Sequence, residues 1–155
     1  MDQALKQKIL AVLAQHRDMS LATLRPDGWP QATTVGYASD GLTLYFLCGL
    51  TSQKAANLAR DNRVSLTIDS ETAQVMQITG LSMAARATRV TDEAEAAKAI
   101  DLLLSKYADQ AGVDTLEVRS SEVAIFRHTP TVISVLDYTK GFGHTDLVTC
   151  AEEPA

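Results

Sequence analysis

Two stretches of the sequence carry the residue types from which a binding site is built. The first is Leu47-Cys48-Gly49-Leu50-Thr51-Ser52-Gln53-Lys54-Ala55-Ala56. An apolar run ends there, two hydroxyls follow, and a lysine falls in what reads as the first turn of a helix. A helix N-terminus presents N–H groups that have no partner and a partial positive charge. A lysine at that place is mildly unfavourable by itself. With a phosphate between it and the amides, Ser52, the free N–H groups and Lys54 become a clamp. An ordinary helix cap with a solvated lysine has the same residues. The second stretch is Tyr138-Thr139-Lys140-Gly141-Phe142-Gly143-His144. Its glycines let the backbone approach a partner closely. Phe142 then either lies against a flat ring or plugs one end of the fold.

Other candidates are weaker. Gly141-Phe142-Gly143 begins like a dinucleotide fingerprint, but Asp146 stands at the third glycine position and no helix follows. HExxH, P-loop and GxSxG motifs are absent. His16, His128 and His144 have no metal-ligand spacing and read as surface or loop histidines. Cys48 sits in an apolar run, where a free cysteine is inert packing rather than a nucleophile.

The elements that must position these residues follow from periodicity. Leu5, Ile9 and Val12/Leu13 recur at helical spacing at the start. The period then becomes two. Met19–Leu24, Gln31–Tyr37 and Leu42–Leu47 read as a meander of strands. Their turns are Arg25-Pro26-Asp27-Gly28 and Ser39-Asp40-Gly41. A short helix over Ser52–Arg60, capped by Thr51 or Ser52, comes next. Arg63–Asp69 is a strand, and Gln74–Val90 is a long one bent at Gly80. Thr91 caps a second long helix with Ala96, Ile100, Leu103 and Tyr107 on its apolar stripe and Gly112 as its stop. Glu122–Arg127 and Thr131–Tyr138 read as two last strands, separated by His128-Thr129-Pro130. About seven strands in hairpin order with so few helices exclude a doubly wound parallel sheet. The expected fold is a β-barrel-centred α+β domain with peripheral helices.

The composition narrows the partners. The 155 residues suit one domain, expected over residues 1–150 with a short tail at 151–155. Lys and Arg number 14 against 19 Asp and Glu, a net charge of −5, which argues against broad nucleic-acid binding. The longest apolar run, Leu42–Leu50, is too short to span a bilayer, so no membrane partner is expected. Two cysteines outside any CxxC pair and a polar N-terminus point to the reducing cytoplasm.

The words Met19-Ser-Leu-Ala-Thr-Leu24, Asp27-Gly-Trp-Pro30, Leu44-Tyr-Phe46, Ser52-Gln-Lys-Ala55, Asn57-Leu58 and Asn62-Arg-Val-Ser-Leu66, in this order and spacing, resemble the pyridoxamine 5′-phosphate oxidase-like superfamily of flavin-binding split barrels. The resemblance covers roughly residues 10 to 145. It implies a six-stranded antiparallel split β-barrel (Greek key) that forms a homodimer with FMN in grooves between the subunits. It places the strand residues Thr33, Thr34 and Val35 and the strand end Leu47 and Cys48 along the flavin. It assigns the phosphate to Ser52, Gln53 and Lys54, and a further cofactor contact to Gln74. Phe142 is the candidate ring contact from the C-terminal stretch. The stretch also resembles a Gly-Phe-Gly element of haem-utilising relatives, in which a nearby histidine is a candidate axial ligand, which makes His144 the haem alternative.

The departures bear on the activity. Gln53 and Thr33 stand where the oxidase has arginines, and its substrate-holding Arg-Leu-His segment has no counterpart. Lys54 then carries more of the phosphate charge. The resemblance therefore implies an FMN-dependent oxidoreductase acting on a small molecule or NAD(P)H, rather than a pyridoxamine phosphate oxidase. A haem-handling protein and a non-catalytic module for FMN or the deazaflavin F420 are the alternatives.

Overall fold

Alternation of apolar and polar residues builds the strands that face solvent on one side. In β5 (Arg63–Asp69) every second side chain, Val64, Leu66 and Ile68, is buried and the others face out. The computed structural model describes residues 1–113 and 117–151. It contains β1 (Asp18–Leu24), β2 (Pro30–Gly36), β3 (Ala38–Asp40), β4 (Thr43–Gly49), β5, β6 (Thr79–Arg89), β7 (Val123–Asp137) and β8 (Thr145–Thr149). The helices are α1 (Gln3–Gln15), α2 (Gln53–Arg60) and α3 (Glu93–Lys106). The strands form one antiparallel sheet in the order β2-β1-β5-β6-β7-β4-β3, with β8 also on β7. This is the split-barrel α+β fold, with eight strands where the resemblance implies six and the periodicity about seven.

The two ends of that path, β2 and β3, are one residue apart in the chain. Tyr37 alone joins them. A sheet whose outermost strands are so joined has to curl back on itself. Tyr37 is fully buried at the joint, and its hydroxyl donates to the Leu13 carbonyl at 2.8 Å. Burial pushes its phenol well above the ordinary tyrosine range. The ammonium of Lys106 lies 3.7 Å from the centre of its ring, a cation–π contact.

The curled sheet has a core on each face. Inside, Leu21, Leu44, Phe46, Leu66, Met83 and Ile133 pack together, with Ile9 and Leu13 of α1 against them. Outside, Tyr45 and Ile125 pack against Ala96, Ala99 and Ile100 of α3. Successive residues of β4 therefore serve opposite faces, as the pleat requires.

Four expectations from the sequence are corrected. The break at His128-Thr129-Pro130 is not a break: β7 runs on for 15 residues. The pairing with β6 shifts between Ala84 and Ala85, so that Thr131 is an extra residue on β7. Proline has no N–H for a ladder and is tolerated at such a bulge. Second, the long strand begins at Thr79 rather than Gln74, and a 3-10 turn occupies Val75–Gln77. Gly80 lies where β5 comes too close for a side chain, since a Cβ there would stand 2.6 Å from the Ile68 carbonyl oxygen. Third, α3 is capped by Asp92, not Thr91, and ends at Lys106, before Gly112. Ser52, one of the two expected caps, does cap α2.

The fourth correction concerns His128. It is not at the surface or in a loop but fully buried on β7, between Leu44 of β4 and Ala87 of β6. Phe46 lies 5.0 Å away between ring centroids. Neither ring nitrogen has a hydrogen-bond partner. Desolvation holds its pKa down to about 4. The unfolded chain therefore binds a proton near the ordinary histidine value while the folded chain resists it. Stability from this group is complete above about pH 6.5 and falls as the pH drops toward 4, by about 3 kcal/mol in all. Urea titrations across that range should show this loss in the wild type and a flatter profile for His128→Leu. Parallel profiles would show that His128 does not govern the acid limb.

Candidate functional site

The curl leaves a seam. β3 pairs with Thr43, Leu44 and Tyr45 of β4 and then stops. Beyond it the edge of β4 from Leu47 to Gly49 faces the free edge of β2 without pairing to it. Strand edges present backbone N–H and C=O groups with no ladder partner. Thr33, Thr34 and Val35 lie on one lip and Leu47 and Cys48 on the other, so the structure brings these five residues to one seam. Val35 and Cys48 turn into the core, and Leu47 turns out toward α3. The Thr33 hydroxyl oxygen is buried without a hydrogen-bond partner, an arrangement that costs stability unless something satisfies it.

One end of the seam is the start of α2. Ser52 accepts a hydrogen bond from the Ala55 amide at 3.2 Å and so caps the helix. The amides of Gln53 and Lys54 have no acceptor among the described residues. The first turn holds no acidic residue. Lys54 is half-buried, with no ion pair or hydrogen bond among the described residues. The Gln53 side chain bends back to Asn57 Oδ1 at 2.8 Å. Beside it a cavity of about 480 Å³ is lined by Arg25, Pro26, Asp27, Gln31 and Gln53. Arg25 and Asp27 pair there at 3.0 Å, so the wall adds no net charge.

Asn57 fixes α2 in place. It is fully buried, donates to Thr23 Oγ1 of β1 at 3.0 Å and lies 3.5 Å from Gln31 Oε1 of β2. The sequence shows Asn57 only as part of a family word. A fully buried asparagine beside Leu58 on a short helix is the signal that marks it as structural.

Gln74 and Phe142 do not join this group within one chain. Gln74 precedes the 3-10 turn that leads into β6 and is exposed. Thr79 of β6 pairs with Asp137, and the Tyr138 amide donates to the Ile78 carbonyl at 2.9 Å, which sets Gln74 near the Gly-Phe-Gly stretch. That is the Asp18 end of β1, whereas Asn57 and α2 adjoin its other end at Thr23. Phe142 does not plug the barrel: it is 77% exposed, edge-on to Tyr138. His144 Nε2 lies 3.2 Å from Asp146 Oδ2. Among the described residues no cluster of three or more His, Cys, Asp or Glu could hold a metal ion.

The seam fits FMN in two respects. The α2 N-terminus has donors and a cation for a phosphate but no competing acid, and the orphaned Thr33 hydroxyl lies along the lip. For haem, His128 is sealed in the core and both nitrogens of His16 are engaged, with the Val12 carbonyl and Ser70. His144 is left, with a carboxylate on one nitrogen as metal-bound histidines often have.

Comparison with known proteins agrees with this architecture. The pyridoxamine 5′-phosphate oxidase family profile matches residues 5–137. A structure from Listeria innocua, named after pyridoxamine 5′-phosphate oxidase, is 26% identical, with a TM-score of 0.70 over 86% of this chain and 98% of that one. A haem-binding protein from Mycobacterium smegmatis is 21% identical, with a TM-score of 0.77 over 96% of this chain and 59% of that one. The haem storage protein HutZ from Vibrio cholerae is 19% identical, with a TM-score of 0.65 over 81% of this chain and 89% of that one. No curated protein sequence is significantly similar. The chain belongs to the pyridoxamine 5′-phosphate oxidase family.

Asn57→Ala tests the framework of the site. It leaves Thr23 Oγ1 without its buried partner, and unfolding free energy should fall by about 1–3 kcal/mol. A denaturant midpoint equal to the wild type would show that the network does not hold α2.

Proposed function

We propose that this member of the family is an FMN-dependent oxidoreductase that works as a homodimer. The observation that carries the reading is the start of α2: two partnerless amides and an unpaired, half-buried Lys54 at the end of an open strand seam. Ser52, the amides of Gln53 and Lys54, and the Lys54 ammonium would hold the phosphate. Gln53 and Thr33 bring no charge, so Lys54 is its main counter-ion. The backbone edges at Thr33, Thr34, Val35, Leu47 and Cys48 would flank the ring. Bound FMN supplies two-electron redox chemistry, and the chain supplies position and hydrogen-bond donors.

A second copy supplies what one chain lacks. Val75, Met76, Phe142 and Leu147 are 45–77% exposed and lie just before β6, between β7 and β8, and on β8, at the end remote from α2. A large contiguous exposed apolar patch is uncommon on a soluble monomer unless it binds something. Set against a partner's seam, Gln74 and Phe142 would complete the cofactor site. Haem in place of flavin is the second reading, favoured by the His144–Asp146 pair and by the fold shared with haem-binding proteins.

Lys54→Ala should weaken FMN binding about 10- to 100-fold in a fluorescence titration, the range of one charge-assisted hydrogen bond. Equal affinity would remove Lys54 and the α2 start from the site. Light scattering at micromolar concentration should give a dimer, and a monomer would contradict the shared-site arrangement.

A further inference from the structure

The other end of the seam is a second cavity of different character. About 220 Å³ lies under α3, lined by Gly36, Leu47, Ile100, Leu103, Leu104 and Tyr107, with two valines beyond the helix. It shares Leu47 with the seam, and Gly36 follows Val35 directly. The physical reason for its shape is the contact between Gly36 and Tyr107. A Cβ at Gly36 would stand 2.5 Å from the Tyr107 hydroxyl oxygen, so glycine is what lets this ring lie across the end of β2. The Tyr107 hydroxyl donates to the Arg17 carbonyl, which anchors the ring. Its proton is thereby used, and its oxygen retains accepting capacity.

No charged residue lines this cavity among those described. Three charged residues adjoin it without lining it: the Lys106 ammonium donates to the Leu13 carbonyl at 2.9 Å and sits on the Tyr37 ring, Arg17 pairs with Asp109 at 2.6 Å, and Asp18 Oδ1 lies 3.3 Å from the Tyr107 hydroxyl. Desolvation holds the Lys106 amine down to about 8. A phosphate or carboxylate entering here would be stripped of water with no counter-charge, which is strongly unfavourable. An apolar ring would not. An apolar cavity of roughly 150 Å³ already accommodates benzene.

We infer that this cavity is the substrate subsite and that it takes a small, uncharged, mainly apolar molecule about the size of one or two fused rings, not a phosphate ester. As a substrate assignment this rests on the flavin reading, but the cavity's ligand class is measured independently of it. Indole serves as the probe, because its ring is apolar and its N–H suits the Tyr107 oxygen. Calorimetric titration of the full-length protein should show saturable indole binding and none of pyridoxamine 5′-phosphate. Leu103→Trp and Leu104→Trp fill the cavity and should each weaken indole binding at least about tenfold, a change of 1.4 kcal/mol. Leu104 is half-buried, so its variant decides the matter if the Leu103 variant fails to fold by circular dichroism. Indole binding that survives the Leu104 change, or pyridoxamine phosphate binding that the change abolishes, overturns the inference. FMN is titrated into the same samples. FMN binding without indole binding defeats the cavity assignment alone. Indole binding without FMN binding defeats the flavin reading and leaves the cavity's ligand class standing.

Discussion

Tyr37 links the two outermost strands of the sheet path, and much of the molecule follows from that single-residue connection. With so little chain between β2 and β3, the sheet must curl until its ends meet at this residue. The ends meet only there. β3 is three residues long, so most of β2 and the last part of β4 face each other without pairing. The seam is therefore a consequence of connectivity rather than of a weak sequence in either strand. The joint is held by the buried hydroxyl on Leu13 and by Lys106 over the ring, which tie α1 and α3 to the same residue.

The seam runs between two unlike ends. At the α2 end, polar groups lack partners: two amides, a lysine and, along the lip, a buried threonine hydroxyl. At the α3 end the walls are leucine, isoleucine and a tyrosine whose hydroxyl already donates to the Arg17 carbonyl. A phosphorylated cofactor is suited to the first environment and an uncharged molecule to the second. The polarity of the seam thus separates where an anion is held from where an apolar reactant is admitted.

β1, β2 and β4 were legible from their apolar periodicity and the turn residues between them, but β3 was not: Ser39 and Asp40, which read as a turn, pair with Leu44 and Thr43. The start of α2 was legible, since Ser52 sits where a cap belongs. What the local sequence hid has specific causes. Pro130 reads as a strand end, but the bulge at Thr131 accommodates it, and the Thr131 carbonyl accepts from the Cys150 amide at 2.9 Å. A lone histidine reads as surface, and only the pairing of β7 between β4 and β6 puts His128 inside. Gln74 looked like part of a strand because its neighbours are apolar, yet Val75 and Met76 are exposed. The contact between Gly36 and Tyr107 joins residues 71 positions apart, beyond the reach of any local pattern.

The central claim is that the α2 start and the seam hold a flavin. It is tested most directly by the absorption spectrum of the purified protein, alone and after adding FMN, F420 or haem in turn. The account predicts a two-band flavin spectrum, retained with FMN through gel filtration. A Soret band on haem addition with no flavin retained would contradict it and move the site to His144.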